Sequence, residues 1–236
     1  MKRLATLAII FTLGLQSSFS YGQLLVGVRG GYSTSGILFT PERDTKPLTD
    51  PLIDGGLTLK YFDLDHVGFQ AETNFTQRGY ISLIDSVTLY KRVNSYIELP
   101  LFFQVRTAKN NLFAHVNIGF YASMLVNSKA GQGPDSTKIK LLEYTPNILR
   151  DNFFDYGLRG GIGAGYDFSW GTIQLDIAYS YGLGDLYYYS YSGNPSRSPA
   201  WIVNGSISFF INLSKPKKTK TILDEETQIS NDINLN

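Results

Sequence analysis

The sequence contains no cysteine. That excludes a disulfide scaffold, thiolate metal sites, a cysteine nucleophile and a lipidated N-terminal cysteine. Charge is also sparse: Asp, Glu, Lys and Arg make up 17% of 236 residues, below the usual quarter, and the net charge is +1. Bulk charge therefore offers no attraction to nucleic acid or to an acidic partner. Histidine occurs twice, at His66 and His115, with no His-x-His pair to start a metal site. Beyond the N-terminal segment there is no run of about 18 apolar residues, so no transmembrane helix is expected. What is abundant is aromatic and small: 16 Tyr, 15 Phe and 23 Gly.

The cleanest pattern lies at 172–181, Thr-Ile-Gln-Leu-Asp-Ile-Ala-Tyr-Ser-Tyr. Ile173, Leu175, Ile177, Tyr179 and Tyr181 share one parity, and Thr172, Gln174, Asp176, Ala178 and Ser180 the other. Side chains alternate across a strand, so this is a strand with one greasy and one polar face. The pattern recurs at 24–32, 56–62, 66–77, 93–106, 111–122, 153–168 and 200–213. Pro100 interrupts the fourth segment, and because proline donates nothing to a ladder a bulge is expected there, shifting the parity of Phe102 and Phe103.

Eight such segments are each long enough to cross a membrane at a tilt. Their connections alternate long and short: the turns at 63–65, 107–110 and 169–171 are short, while 33–55, 78–92, 123–152 and 183–199 are long. That rhythm predicts an all-β fold, an eight-stranded antiparallel up-and-down transmembrane β-barrel. Both barrel ends fall on the short-turn, periplasmic side. The polar parity carries Arg29, Lys60, Glu72, Glu98, Arg159, Asp167 and Asp176. Charges of both signs suit a lumen in which neighbours pair and are costly facing lipid. Aromatics collect at the segment ends: Tyr61, Phe168 and Trp170 by the short turns, Tyr32, Phe75, Tyr181 and Trp201 by the long ones. Two such belts match interfacial girdles, although a secreted sandwich with aromatic edges would read similarly.

The flanks differ from the barrel. Lys2 and Arg3 precede an apolar stretch at 4–15, and Ser17, Ser18, Ser20 and Gly22 supply small residues near a cut, so 1–22 reads as a signal peptide. Residues 23–213 form the barrel domain. Residues 214–236 carry Lys215, Lys217, Lys218 and Lys220, then Asp224, Glu225 and Glu226, and read as a polar periplasmic tail.

The run Tyr96-Ile97-Glu98-Leu99-Pro100-Leu101 resembles the Tyr-Leu-Glu-Ile-Pro-Leu signature of the small outer-membrane β-barrels abundant in Bacteroidetes, often labelled "porin family". Phe154-Asp155-Tyr156-Gly157-Leu158, leading into Gly160-Gly161-Ile162-Gly163-Ala164-Gly165-Tyr166, is similar to that family's glycine-rich sixth strand. Gly-Val-Arg-Gly-Gly-Tyr at 27–32 is similar to its first. The resemblance spans about 23–213 and implies fold and a location in the bacterial outer membrane. It implies little chemistry, though some relatives take part in gliding or protein secretion. The tail is a departure, since many outer-membrane barrels end on an aromatic residue of the last strand.

Candidate chemistry is thin. The glycines of 160–165 lack the Lys-Ser/Thr of a phosphate loop and no helix pattern follows. His66 and His115 each follow a short turn, which puts them at the periplasmic end as lumenal hydrogen-bonding residues. Glu72, Glu98 and Asp176 offer either a general acid/base set or ion pairs with Arg29, Lys60 and Arg159 that fill the bore, and an eight-stranded interior is just wide enough for side chains. Tyr187, Tyr188, Tyr189 and Tyr191 in the last long connection either extend the strands or form a recognition face. The reading is a non-enzymatic scaffold or interaction protein of the envelope, with no cofactor. Its partners would be outer-membrane lipid and envelope proteins met through the long loops or the tail. A narrow passive porin-like channel and a component linked to secretion or gliding are the alternatives.

Overall fold

The computed structural model describes residues 22–213 except Asp65, Ser86 and Ser190. The expected signal peptide and tail lie outside the described residues. Nine strands follow in order: β1 Gln23–Ile37, β2 Thr45–Leu64, β3 Val67–Leu83, β4 Leu89–Lys109, β5 Leu112–Gly133, β6 Leu142–Glu143, β7 Phe154–Asp167, β8 Gly171–Gly182 and β9 Ala200–Asn212. Eight of them close into a ring, β1-β2-β3-β4-β5-β7-β8-β9, with every pairing antiparallel. β1 closes it by pairing β2 on one edge and β9 on the other, from Leu25 opposite Asn212 to Ile37 opposite Ala200. The two-residue β6 pairs with Lys129 and Ala130 at the outer end of β5.

The period-two pattern sorts cleanly. Val26 and Val28, Leu57 and Leu59, Ile97 to Phe103 on odd numbers, Val116 and Ile118, Leu175 and Ile177, and Ile207 to Ile211 on odd numbers are exposed on the outside. The intervening Arg29, Thr58, Lys60, Gln70, Glu72, Glu98, Gln104, Arg159 and Ser208 are buried inside. Greasy outside and polar inside is the inverse of a soluble barrel and suits a ring surrounded by hydrocarbon. A recess of about 1450 Å³ is mostly apolar and includes the exposed Gly30, Gly205, Ala114 and Ala164, which places it on the lipid-facing side.

Several expectations need correcting, the first being the connection expected at 123–152, since β5 stays paired with β4 as far as Gly133. The connection expected at 78–92 is mostly strand, because β3 and β4 keep pairing from Gln77 opposite Ser95 up to Leu83 opposite Leu89, leaving 84–88 to turn. Above the aromatic belt polar and apolar residues fall on both faces, so the strict alternation fades while the ladder continues. The stretch before Ile53 also belongs to a strand, with its irregularity between Pro47 and Asp54, where Pro51 has no N–H to give. Pro100 causes no bulge. Pro100 faces Tyr121 in register, Phe102 stays inside and Phe103 outside. The ladder to β3 simply lacks its pairs between Ala71–Leu101 and Asn74–Glu98. The real shift between β4 and β5 comes at Ser95/Tyr96, with Val126 as the extra residue.

Apolar clusters cap the polar bore at both ends. Leu25, Phe62 and Phe210 plug the short-turn end. Ile37, Phe39, Tyr80, Leu186, Tyr187 and Ala200 pack beneath the long connections at the other, while Leu48, Leu52, Ile81 and Val93 form a separate buried cluster on the outer extension, with Ile81 and Val93 on the parity opposite to the inward Arg78 and Arg92. The glycines of β7 make room for neighbouring rings: a Cβ on Gly163 would lie 2.4 Å from the His115 ring, and one on Gly165 would lie 2.3 Å from that of Phe113.

The lipid-facing assignment is testable at Ile118, which is 66% exposed and opposite Phe103 and Gly160 in mid-strand. Ile118→Lys should cost about 2–4 kcal/mol in denaturant titrations of the protein folded into lipid vesicles. Ile148→Lys, on the exposed outer connection, should leave the midpoint unchanged. Equal effects at the two positions would contradict the assignment.

Candidate functional site: the packed bore and its roof

The inward parities of seven strands meet in one network. Arg29 of β1 pairs with Glu72 of β3 at 3.0 Å and Asp54 of β2 at 3.2 Å. It also donates to Asn204 Oδ1 at 2.6 Å and Ser206 Oγ at 2.8 Å on β9. Glu72 accepts further from Asn74 at 2.6 Å and from Gln70. Arg159 of β7 donates to Glu98 of β4 at 2.7 Å and to the same Asn204 oxygen at 3.3 Å. Arg78 of β3 bridges Glu98 and Asp155, its guanidinium lying 4.7 Å from the Tyr96 ring and 4.8 Å from that of Tyr121. Tyr121 completes the chain by donating to Asp155 at 3.1 Å. Three guanidiniums and four carboxylates are thus held in one continuous set, with two residual voids of about 20 and 10 Å³ near it. A void of that size holds about one water.

Toward the short turns the groups are fewer. Lys60 donates to the Gln174 amide oxygen rather than to a carboxylate, and its ammonium sits 4.4 Å from the Phe210 ring centre. Gln174 donates to Asp176 at 2.8 Å, and His115 Nε2 lies 2.7 Å from the same carboxylate. His66 does not point into the bore as expected: it is exposed on the turn before β3, and its backbone oxygen accepts from Arg106 N at 2.8 Å.

Above the belt a second cluster forms a roof. Arg92 and Asp151 pair at 2.8 Å, both side chains wholly inaccessible to solvent. Arg92 also donates to Tyr187 Oη at 3.0 Å, Asn94 at 3.0 Å and Ser128 at 3.2 Å. Asp151 accepts from Tyr144 at 3.0 Å and from the Asn147 amide at 2.8 Å. Tyr187 and Tyr80 share a 2.7 Å hydroxyl contact. One buried arginine on β4 therefore pins both long connections, 134–153 through Asp151 and 183–199 through Tyr187. Burial, with the neighbouring Tyr187 hydroxyl second, pushes the Tyr80 phenol well above its ordinary range.

All six residues expected in the lumenal network line the interior: Arg29, Lys60, Glu72, Glu98 and Arg159 are buried and Asp176 is partly so. The bore brings Arg29 to Glu72 and Arg159 to Glu98, while Lys60 and Asp176 meet through Gln174. Of the four tyrosines expected as a recognition face, Tyr187 is instead buried in the roof, because its hydroxyl is needed by Arg92 and Tyr80. Tyr188, Tyr189 and Tyr191 are exposed. Arg78, Asp54, Asp155, Arg92 and Asp151 escaped the sequence reading. The signal was available for the first three: Arg78 continues the inward parity of Gln70, Glu72 and Asn74, Asp54 that of Thr58 and Lys60, and Asp155 that of Arg159.

The sequence model of the outer membrane protein β-barrel domain family matches residues 15–188. The chain belongs to that family. It is thus an integral β-barrel protein of the bacterial outer membrane, and its greasy exterior is the lipid-facing wall. Among solved structures, the barrel is similar to that of OprG from Pseudomonas aeruginosa, at 14% identity over 81% of this chain and 96% of that one, with a TM-score of 0.44. It is also similar to Ail, the attachment invasion locus protein of Yersinia pestis, at 12% identity over 80% and 99% with a TM-score of 0.41. Neisserial surface protein A gives 9% identity over 78% and 95%, with a TM-score of 0.40. No curated protein sequence matches the chain.

Glu98 serves both Arg78 and Arg159, so Glu98→Gln should destabilise the folded barrel by about 3–5 kcal/mol in urea titrations. Adding Arg159→Gln should cost less than the sum of the single effects. Unchanged stability with altered ion selectivity would instead assign the pair to transport. The Tyr80 phenol supplies a pH test. Its folded pKa is raised, so its contribution is whole below the unfolded value and is lost as pH rises through the folded one. Protease nicking of 183–199 should accelerate above about pH 10 in the native protein. That pH slope should be flatter in Tyr80→Phe.

Proposed function

We propose that the chain is a non-enzymatic scaffold or interaction protein of the cell envelope, a Bacteroidetes-type member of the "porin family" group. In this reading residues 1–22 are a cleaved signal peptide, 23–213 the barrel domain and 214–236 a polar periplasmic tail. The observation that carries it is the closed ion-pair network. Arg29, Arg78 and Arg159 spend their charge on Asp54, Glu72, Glu98 and Asp155, and the roof seats both long connections over the bore. Unpaired rings of charge would favour solute passage, whereas mutually satisfied charges favour rigidity.

Catalysis finds little support in the same groups. The His115–Asp176 pair sits among packed side chains, and among the described residues His115 Nδ1 has no hydrogen-bond partner to activate. What the protein offers outward is its upper rim. There Ile148, Leu149 and Tyr189 are strongly exposed, Tyr189 at 79%. Apolar and aromatic residues held on a rigid base are good contact surface. Envelope proteins are the partners this rim suits, and outer-membrane lipid surrounds the wall.

A photo-crosslinking residue placed at Ile148 or at Tyr189 in intact cells should yield discrete protein adducts. The same residue at Ile118 should yield lipid adducts only. If neither rim position gives a protein adduct while the folded protein lets small sugars into vesicles, the interaction reading fails and a channel replaces it.

A further inference from the structure

The roof also forms a cup on its outer face. It measures about 380 Å³, within the small-ligand range of about 300–1,000 Å³. Its wall brings together residues from five separate segments: Phe39 and Arg43 before β2, Tyr80 and Ser82 on β3, Tyr90 on β4, Tyr144 and Arg150 from 134–153, and Tyr187 from 183–199. Five aromatic rings and two guanidiniums therefore line one opening on the side away from the membrane, with Phe39, Tyr80 and Tyr187 as its buried floor and Tyr90 and Tyr144 partly exposed.

The cations are available to a ligand. Arg43 is exposed, lies 5.3 Å from the Phe39 ring centre and donates to the Gly193 carbonyl at 3.2 Å. Glu42 and Asp44 flank it in sequence, but neither is ion-paired to it. Arg150 lies 5.6 and 5.9 Å from the Tyr144 and Tyr187 rings. It reaches Asp151 only at 3.4 Å, and its side chain stays about a third exposed. Asp151 is already committed to Arg92, Tyr144 and the Asn147 amide, so it balances one of the three arginines and leaves the cup positive.

The geometry points to a binding site for an acidic saccharide, a pyranose carrying a carboxylate or phosphate. Aromatic faces present flat apolar surface to the C–H faces of a sugar ring, and the Tyr90 and Ser82 hydroxyls, which hold no partner of their own among the described residues, reach its hydroxyl groups. Arg43 and Arg150 supply the fork that pairs with a carboxylate or phosphate. An uncharged sugar would use the rings but leave both guanidiniums without an anion. The size suits a mono- or disaccharide unit. Such a unit could come from a free acidic glycan or from the headgroup of lipopolysaccharide in the same leaflet. The inference rests on the reading of the upper rim as an interaction face and names a ligand class for it.

The test is titration calorimetry on the folded full-length protein in detergent micelles, with digalacturonate as probe and galactobiose as its neutral counterpart. Folding is confirmed first by a heat-dependent gel shift. Digalacturonate should bind at millimolar concentration or below and galactobiose at least about tenfold more weakly, a difference of about 1.4 kcal/mol. Arg43→Gln should lose about tenfold of the acidic preference, as should Arg150→Gln, and rising salt should erode it because Arg43 is exposed. Arg43 makes one hydrogen bond, to a carbonyl, so its variant keeps the test open if Arg150→Gln folds poorly. Lipopolysaccharide vesicles that bind and are displaced by digalacturonate would assign the ligand to the lipid headgroup. Digalacturonate binding that the vesicles do not contest would assign it to a free glycan. Absence of binding to both probes and vesicles overturns the site, as does acidic binding that both arginine variants retain. Rim crosslinks that survive such a failure would leave the interaction reading standing.

Discussion

Hydrocarbon offers no hydrogen bonds, so a sheet that enters it must have no free edge. Here that constraint falls on β1. It must accept β2 along one side and β9 along the other over nearly its whole length, and the register from Leu25 to Ile37 does so. Closing eight strands fixes a narrow interior. Everything on the inward parity is then forced into contact with everything else. Charges that would be solvated at the surface of a soluble protein must find one another across the bore.

The two charged layers solve that problem differently. In the membrane zone, residues far apart in sequence meet because the ring brings their strands round: Arg29 contacts Ser206, 177 residues away, and Arg159 shares Asn204 with it. The layer is a chain of shared partners, so the loss of one carboxylate strands two arginines. Above the belt the solution is a single pin. Arg92 on the extended β4 holds Asp151 and Tyr187, and with them the two long connections. The extension of β3, β4 and β5 past the membrane is what lifts that arginine to the height of the loops. Rim chemistry, including the aromatic cup, therefore depends on strand length as much as on the loops themselves.

Much of this was legible in the alternation. The eight ring strands, the long-short rhythm, the lipid-facing side and the inward set Arg29, Lys60, Glu72, Glu98, Arg159 and Asp176 all follow from period-two parity, because one buried face and one greasy face leave a strong signal. The failures have physical causes. Above the belt water replaces lipid, the outer face no longer needs apolar residues, and β3 and β4 read as a loop while still pairing. Pro100 looked like a break, yet the ladder tolerates it by omitting pairs to β3 on one side only. His66 follows a turn too tight to carry it inside. Tyr187 looked like its exposed neighbours because nothing local announces that Arg92, 95 residues earlier, needs its hydroxyl. Which inward charge pairs with which was not legible at all, since pairing is set by the cross-bore register.

The central claim is that the bore is filled by its own paired side chains. Single-channel recording in a planar bilayer tests it most directly, using protein whose folding has been verified by a heat-dependent gel shift. The account predicts electrical silence from the folded barrel, with conductance emerging only when Glu98 and Arg159 are both truncated to alanine. A steady, reproducible open level from the native protein would contradict it and make the chain a passive channel.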